Sequence, residues 1–346
     1  MLFSETDVLE FETKLNKANT ITLVSHFNPD GDTIGATSAM YHYLVNIGKN
    51  IQVVIPNDFP HFLDFVMKDI PYVIASKQLE EAKLLFTNTD LIICLDFNAP
   101  KRVGDMLMDS LLSSSKPKIV IDHHISPEKE YFDIVFSSIS SSSASELVYE
   151  VLSLIEKKPF LTKEISQGIY VGICTDTGSF SFSCNGRRTY EVVADLVENG
   201  ADVEYVHQEV YNTYSENRLR LLGFCLFERL KVFPEKGAAL IYLSKSDLRR
   251  FNYQIGDCEG IVNLCLSMEG IEVGALVTER ADRIRISFRS KYDFDVNEFA
   301  RQYWNGGGHK KASGGHSFEK LETVIEKLTQ QINGFQKKDN RLGING

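Results

Sequence analysis

The sequence has no apolar run near the roughly 20 residues needed to span a bilayer, so no membrane partner is expected. Its opening residues, Met1-Leu2-Phe3-Ser4-Glu5-Thr6-Asp7, lack a basic segment followed by an apolar core. No signal peptide is read there, and a cytoplasmic location is expected. No two cysteines have C-x-x-C spacing. Cys94, Cys174, Cys184, Cys225, Cys258 and Cys265 therefore argue against a structural zinc site and predict buried, reduced thiols. An excess of positive charge is missing too. The 37 Lys and Arg against 47 Asp and Glu leave a net charge of -10. That excludes a broad surface for long duplex nucleic acid but permits a short basic cleft.

What is present is a chain of 346 residues with an ordinary soluble composition, long enough that two domains are expected. Its first half alternates. Apolar, β-rich runs lie near 20–25, 51–55, 90–95 and 117–121, separated by helical patterns at 31–47, 58–67, 78–86 and 101–112. This pattern predicts an α/β domain with a mostly parallel sheet flanked by helices. Strands buried on both faces read as nearly continuous apolar runs, as these do. A serine-rich stretch, Ser137 to Ser145, reads as a helix start with Ser142 or Ser143 as cap and Glu146 at capping-box spacing. Residues 162–174 read as helical. So does 186–230, which is expected to connect the halves. Strands near 238–243, 271–278 and 284–289, with helices at 257–268, 295–303 and 318–333, predict a smaller C-terminal α/β domain. The expected division is 1–190, a helical linker at 191–230, a second domain at 231–335 and a polar, disordered tail at 336–346.

The chemistry gathers where the apolar runs end. Ile21 to Ser25 runs into His26-Phe27-Asn28-Pro29-Asp30-Gly31-Asp32, Leu91 to Leu95 into Asp96, and Lys118 to Ile121 into Asp122-His123-His124. Open α/β sheets bind ligands outside the carboxyl ends of their strands. Asp176, in Thr175-Asp176-Thr177-Gly178, would approach the same pocket from a helix. Neighbouring carboxylates repel unless a cation lies between them. Carboxylate and imidazole donors without thiolate favour Mn²⁺, with Mg²⁺, Co²⁺ or Fe²⁺ also compatible. So many carboxylates suit two ions, which can activate a water for in-line displacement at phosphorus. His124 is then left to contact a phosphate oxygen or to protonate a leaving group.

These motifs resemble the signature of the DHH phosphoesterases. H-x-x-x-D-x-D, a lone strand-end Asp, D-H-H and T-D-T-G occur in order, and the resemblance covers about residues 10–190. It implies one metal on His26, Asp30 and Asp96, and a second on Asp32, Asp96, His123 and Asp176. Asp96 would bridge, and Asp122 would orient a histidine.

In the second half, Arg289 and Ser290 end a predicted strand, and Gly306-Gly307-Gly308-His309 precedes Lys310-Lys311. Consecutive glycines can turn backbone N–H groups toward an anion, and His309 onward is expected to open a helix whose N-terminus attracts phosphate. Arg283, by contrast, reads as a solvated strand position. The pair S-F-R-S and G-G-G-H resembles the DHHA1 domain over about 230–335, which implies binding of nucleotide ends. With that partner domain the chain resembles bifunctional oligoribonucleases and pAp phosphatases. The resemblance implies substrates of two to five RNA residues and adenosine 3′,5′-bisphosphate. A linear- or cyclic-dinucleotide phosphodiesterase, a RecJ-like single-strand exonuclease and a non-catalytic nucleotide-binding regulator are the alternatives. The complete ligand set argues against the last. Phe180, Phe182 and Tyr41 are candidate base-stacking rings that also read as core. Oligomeric state is open, a homodimer being compatible.

Overall fold

The computed structural model describes residues 2–156 and 160–335. The expected polar tail, 336–346, lies outside the described residues. The chain forms two compact units, Met1–Thr213 and Tyr214–Gly346.

The first unit is built on a six-stranded parallel sheet: β1 (Thr20–Val24), β2 (Asn50–Ile55), β3 (Val73–Ile74), β4 (Leu91–Leu95), β5 (Lys118–Asp122) and β6 (Ile134–Ser137), in the order β3-β2-β1-β4-β5-β6. Successive strand residues face opposite sides, and both sides are covered. Leu23, Ile93 and Ile121 enter one apolar cluster, whereas Val24, Ile92, Cys94 and Val120 enter the other. This explains why the strands lack polar alternation. Two strands escaped the sequence reading. β3 has only two residues, and β6 follows a loop with no strong apolar period.

On the first cluster's side, helix Gly31–Asn46 packs against helix Lys163–Asp176 at unusually close range. A Cβ on Gly35 would stand 2.4 Å from the Gly168 carbonyl oxygen, and one on Gly31 2.3 Å from Thr175 Oγ1. The missing side chains therefore bring the end of the second helix beside the start of the first. The segment 191–230, expected as a connection, divides between the units. Val192, Leu196, Val206 and Val210, on helices Arg187–Glu198 and Val203–Tyr211, are buried in the first core.

The second unit carries a mixed sheet in the order β11-β12-β10-β9-β8-β7, with β7 (Leu230–Phe233), β8 (Ala238–Leu243), β9 (Val273–Glu279), β10 (Ile284–Ser290), β11 (Gly307–Gly308) and β12 (Ala312–Ser317). Only the β8–β9 pair is parallel. The last two strands correct the sequence reading. Residues 309–311 start no helix; they are the tip of a hairpin between β11 and β12. The helix that follows begins at Leu321.

Candidate metal centre

Strand order decides which motifs meet. β1 lies between β2 and β4, where the connections diverge to the two sides of the sheet. Such a switch point opens a crevice at the carboxyl ends of the strands. His26 and Asp96 leave β1 and β4 at that crevice, and His123 leaves the next strand, β5. Asp96 makes its turn with a left-handed φ of 64°, which Asp tolerates better than most residues, and its N–H donates to the Ile121 carbonyl (2.9 Å).

The donor atoms converge. His26 Nε2 lies 3.3 Å from Asp96 Oδ2 and 3.7 Å from Asp30 Oδ1. His123 Nε2 lies 3.7 Å from Asp32 Oδ2, 3.6 Å from Asp96 Oδ1 and 3.5 Å from Asp176 Oδ2. Two compact donor sets result, His26–Asp30–Asp96 and Asp32–Asp96–His123, each with ligand atoms within 4.8 Å of one another and both containing Asp96. A third such set, Asp96–Asp122–His124, is already bonded internally: Asp122 accepts from His124 Nδ1 (2.7 Å) and from His124 N–H (3.0 Å).

The residues fit cations. His26 Nε2 and Asp96 Oδ1 are buried, and neither has a hydrogen-bond partner among the described residues. Buried polar atoms are rarely left this way, and each demands an explanation. Donor atoms grouped around a point they do not reach by hydrogen bonds are what a divalent cation requires.

Electrostatics point the same way. Burial raises the Asp96 carboxyl well above its ordinary range, and nearby Asp32 adds to this. Asp32 is likewise raised by burial, against the opposing pull of His123. Burial alone would lower His26 and His123. The carboxylates of Asp30 and Asp96 instead raise His26 to about 10, and Asp176, Asp32 and Asp96 raise His123 to about 9. His124 differs. Burial, reinforced by the charge of Arg102, holds it well below 6.5.

Several supporting residues escaped the sequence reading. Asp32 sits at the N-terminus of helix Ala144–Ile155, where the Ala144 and Ser145 amides donate to its two oxygens (2.6 and 2.9 Å). Helix N-termini favour anions. Ser143 caps this helix through the Glu146 N–H (3.0 Å), while the Glu146 carboxylate accepts from the Ser142 N–H and hydroxyl and from Thr189. The cap is therefore Ser143, and Glu146 bonds one residue further back than a capping box requires. The serine run was legible as a helix start, but nothing local ties it to Asp32, 112 residues away. Arg102 gives no motif; its carbonyl accepts from the Phe27 N–H (2.7 Å).

The second-unit candidates lie on β10 and at the β11–β12 hairpin. Arg289 is half-buried on β10, with Nη1 donating to the Phe288 carbonyl (2.9 Å). Ser290 is buried, and its hydroxyl donates to the Phe294 carbonyl (2.7 Å). Gly306, Gly308 and His309 use their N–H groups within the fold, donating to the Ala300 carbonyl, Asn297 Oδ1 and the Ala312 carbonyl. These three N–H groups are therefore already engaged rather than turned toward an anion. The glycines answer to packing instead: a Cβ at Gly306 would stand 2.0 Å from the Gly314 carbonyl oxygen. Arg283 is exposed and pairs with Asp282.

Known proteins match this description. Residues 20–173 match the DHH family, N-terminal domain, and residues 238–335 match the DHHA1 domain. A bifunctional oligoribonuclease and PAP phosphatase, NrnA, of Bacillus subtilis is 29% identical over 90% of this chain and 94% of its own. A crystal structure of an exopolyphosphatase-related protein from Bacteroides fragilis superposes with a TM-score of 0.89 at 36% identity, covering 96% of each chain. RecJ of Thermus thermophilus, solved with Mn²⁺, shares the fold at a TM-score of 0.57 and 14% identity, over 96% of this chain and 55% of its own. The two units and the carboxylate–imidazole crevice define a phosphoesterase. The chain belongs to the DHH family and carries the DHHA1 domain.

Proposed function

We propose that this phosphoesterase hydrolyses RNAs of two to five residues and removes the 3′-phosphate of adenosine 3′,5′-bisphosphate, using two divalent cations, Mn²⁺ foremost. The observation that carries the proposal is the pair of donor sets sharing Asp96, with buried donor atoms left without hydrogen bonds. His26, Asp30 and Asp96 would hold one cation, and Asp32, Asp96, His123 and Asp176 the other. Such a pair supplies an activated water and neutralises charge at the phosphoryl oxygens. The chain's own residues do the rest. The amides of Ala144 and Ser145 fix the Asp32 carboxylate, and Asp122 sets the ring of His124, which borders the reacting phosphate. Arg289, with its planar fork of donors, suits a terminal phosphate, and His309 at the hairpin tip suits a further contact.

Two considerations support short substrates. The NrnA relative is named for oligoribonuclease and PAP phosphatase activity. A chain of net charge -10 is also poorly equipped to hold long RNA through many phosphates.

The test is a substrate panel with Mn²⁺: adenosine 3′,5′-bisphosphate, a labelled dinucleotide, a long RNA, pyrophosphate, inorganic polyphosphate and cyclic di-AMP. Turnover of the first two is expected. Preference for pyrophosphate or polyphosphate would overturn the nucleotide reading. Preference for cyclic di-AMP or rapid loss of the long RNA would replace it with the cyclic-dinucleotide or RecJ-like reading.

A further inference from the structure

The turn after Asp176 is strained. Gly178, Ser179 and Phe180 have φ angles of 55°, 57° and 61°, left-handed at three successive positions. Two of these residues carry a Cβ, for which this backbone is costly. Such strain persists only where the surroundings impose it, and it concentrates at functional sites. Here the surroundings are explicit. Ser179 N–H donates to the Cys174 carbonyl (2.7 Å), and Phe180 N–H to Thr177 Oγ1 (3.0 Å). Ser181 and Phe182 N–H both donate to the Thr177 carbonyl (2.8 and 3.1 Å), and Thr177 is fully buried.

The turn sends its two phenylalanines to different fates. Phe180 joins the core, stacked with Tyr190 at 5.9 Å and 29° and tilted against Tyr170 at 6.2 Å. Tyr41 also packs on that core, edge-on to His42. Phe182 does neither. It is half-buried, lies outside the apolar clusters and has no ring partner among the described residues. Its ring tip rests on Gly178: a Cβ there would stand 2.3 Å from Cε1 and 2.4 Å from Cζ. Gly178 is two residues from Asp176, whose carboxylate lies 3.5 Å from His123 Nε2. An aromatic ring unused by the core is thus held on the turn that directly follows Asp176.

We infer that Phe182 is the platform on which a nucleobase of the substrate stacks, which makes it a specificity-determining residue. Every base has a π-face, so such a platform tolerates any sequence while rejecting substrates without a base. The inference rests on the short-RNA reading above and deepens it, since it names the residue that separates nucleotides from inorganic phosphates.

The test compares an ordinary dinucleotide with the same dinucleotide lacking both bases. For F182A, KM for the ordinary dinucleotide should rise about 5- to 150-fold, the range of one base–aromatic stack. KM for the abasic dinucleotide should match that of the wild type. F182Y should restore the ordinary KM. F182L, which keeps the bulk over Gly178, should behave as F182A does, so the result does not depend on F182A folding normally. An unchanged KM in F182L, or equal losses on both dinucleotides, would overturn the inference while leaving the short-RNA reading intact. A wild type inactive on the ordinary dinucleotide would overturn both.

Discussion

A single methyl group added at Gly172 tests how the metal centre is held. Gly172 lies in helix Lys163–Asp176, and its absent side chain makes room for two others. A Cβ there would stand 1.8 Å from Ser145 Oγ, 2.4 Å from Ser145 Cβ and 2.7 Å from Asp32 Oδ1. Rotating the Ser145 hydroxyl relieves only the first contact; the Cβ contact requires backbone to move. The segment that must yield is the N-terminal turn of helix Ala144–Ile155, whose amides hold Asp32. Overpacking of this kind costs about 1–3 kcal/mol. Hydrogen bonds to a charged group contribute about 1.5–3 kcal/mol each, so loosening even one adds a comparable loss. G172A is therefore expected to lose about 2.5–6 kcal/mol of stability, and to bind Mn²⁺ about 10- to 100-fold more weakly if it folds. Gly186 is the control. A Cβ there meets nothing within 4 Å, and the φ of −79° suits any residue. G186A should change stability by at most about 1 kcal/mol in either direction, the lower unfolded-state entropy being offset by a poorer N-cap. Urea unfolding and calorimetric Mn²⁺ titration of both variants give the comparison. A G172A protein with wild-type stability and wild-type Mn²⁺ affinity would refute the claim that this packing fixes Asp32.

Further tests address the donor set and the substrate side. D96N keeps a residue type that tolerates the left-handed φ of 64° but removes the shared negative charge; turnover with Mn²⁺ should vanish, and unchanged hydrolysis would remove the bridging role. His26 and His123 are raised to about 10 and about 9, so their contribution to metal-free stability is complete below their unfolded value near 6.5. It is lost progressively as pH rises from about 6.5 through the folded values of about 9 and 10; thermal unfolding in chelator should accordingly show a falling midpoint over that interval. Mn²⁺ affinity should rise over the same interval because binding displaces these protons, and calorimetry at pH 8 in buffers of different ionisation enthalpy should reveal their release. R289A should raise KM for phosphate-terminated substrates about 10- to 150-fold with little change in kcat, the loss of one charge-assisted contact; an unchanged KM would remove Arg289 from the binding site.

Much of the centre was legible before any tertiary contact was known. His26, Asp96 and Asp122-His123-His124 directly follow apolar runs, and a strand's length and exit are local properties. Asp176 was also readable as the end of a helix, since its spacing follows from residues 162–174 alone. The helix expected after the glycine run was misread because the composition there matches a loop opening onto a helix. The hairpin there forms through pairing with β10, which is not encoded nearby, and through close approach of Gly306 to Gly314 and of Gly315 to Trp304, which only the folded hairpin brings together. β12, Ala312-Ser313-Gly314-Gly315-His316-Ser317, contains no large apolar residue, so no pattern within it announces a strand.

By itself, then, the sequence determined which carboxylates and imidazoles follow the apolar runs and at which end of the sheet they emerge, because both follow from short-range alternation of apolar and polar residues. The tertiary structure alone decided their company. It placed β4 beside β1, so that Asp96 serves both donor sets, and set the start of helix Ala144–Ile155 on Asp32. It also sent Phe180 into the core while leaving Phe182 outside it. Those outcomes depend on strand pairing and on glycine-sized gaps between helices, and the partners in each case are brought together only when the chain folds.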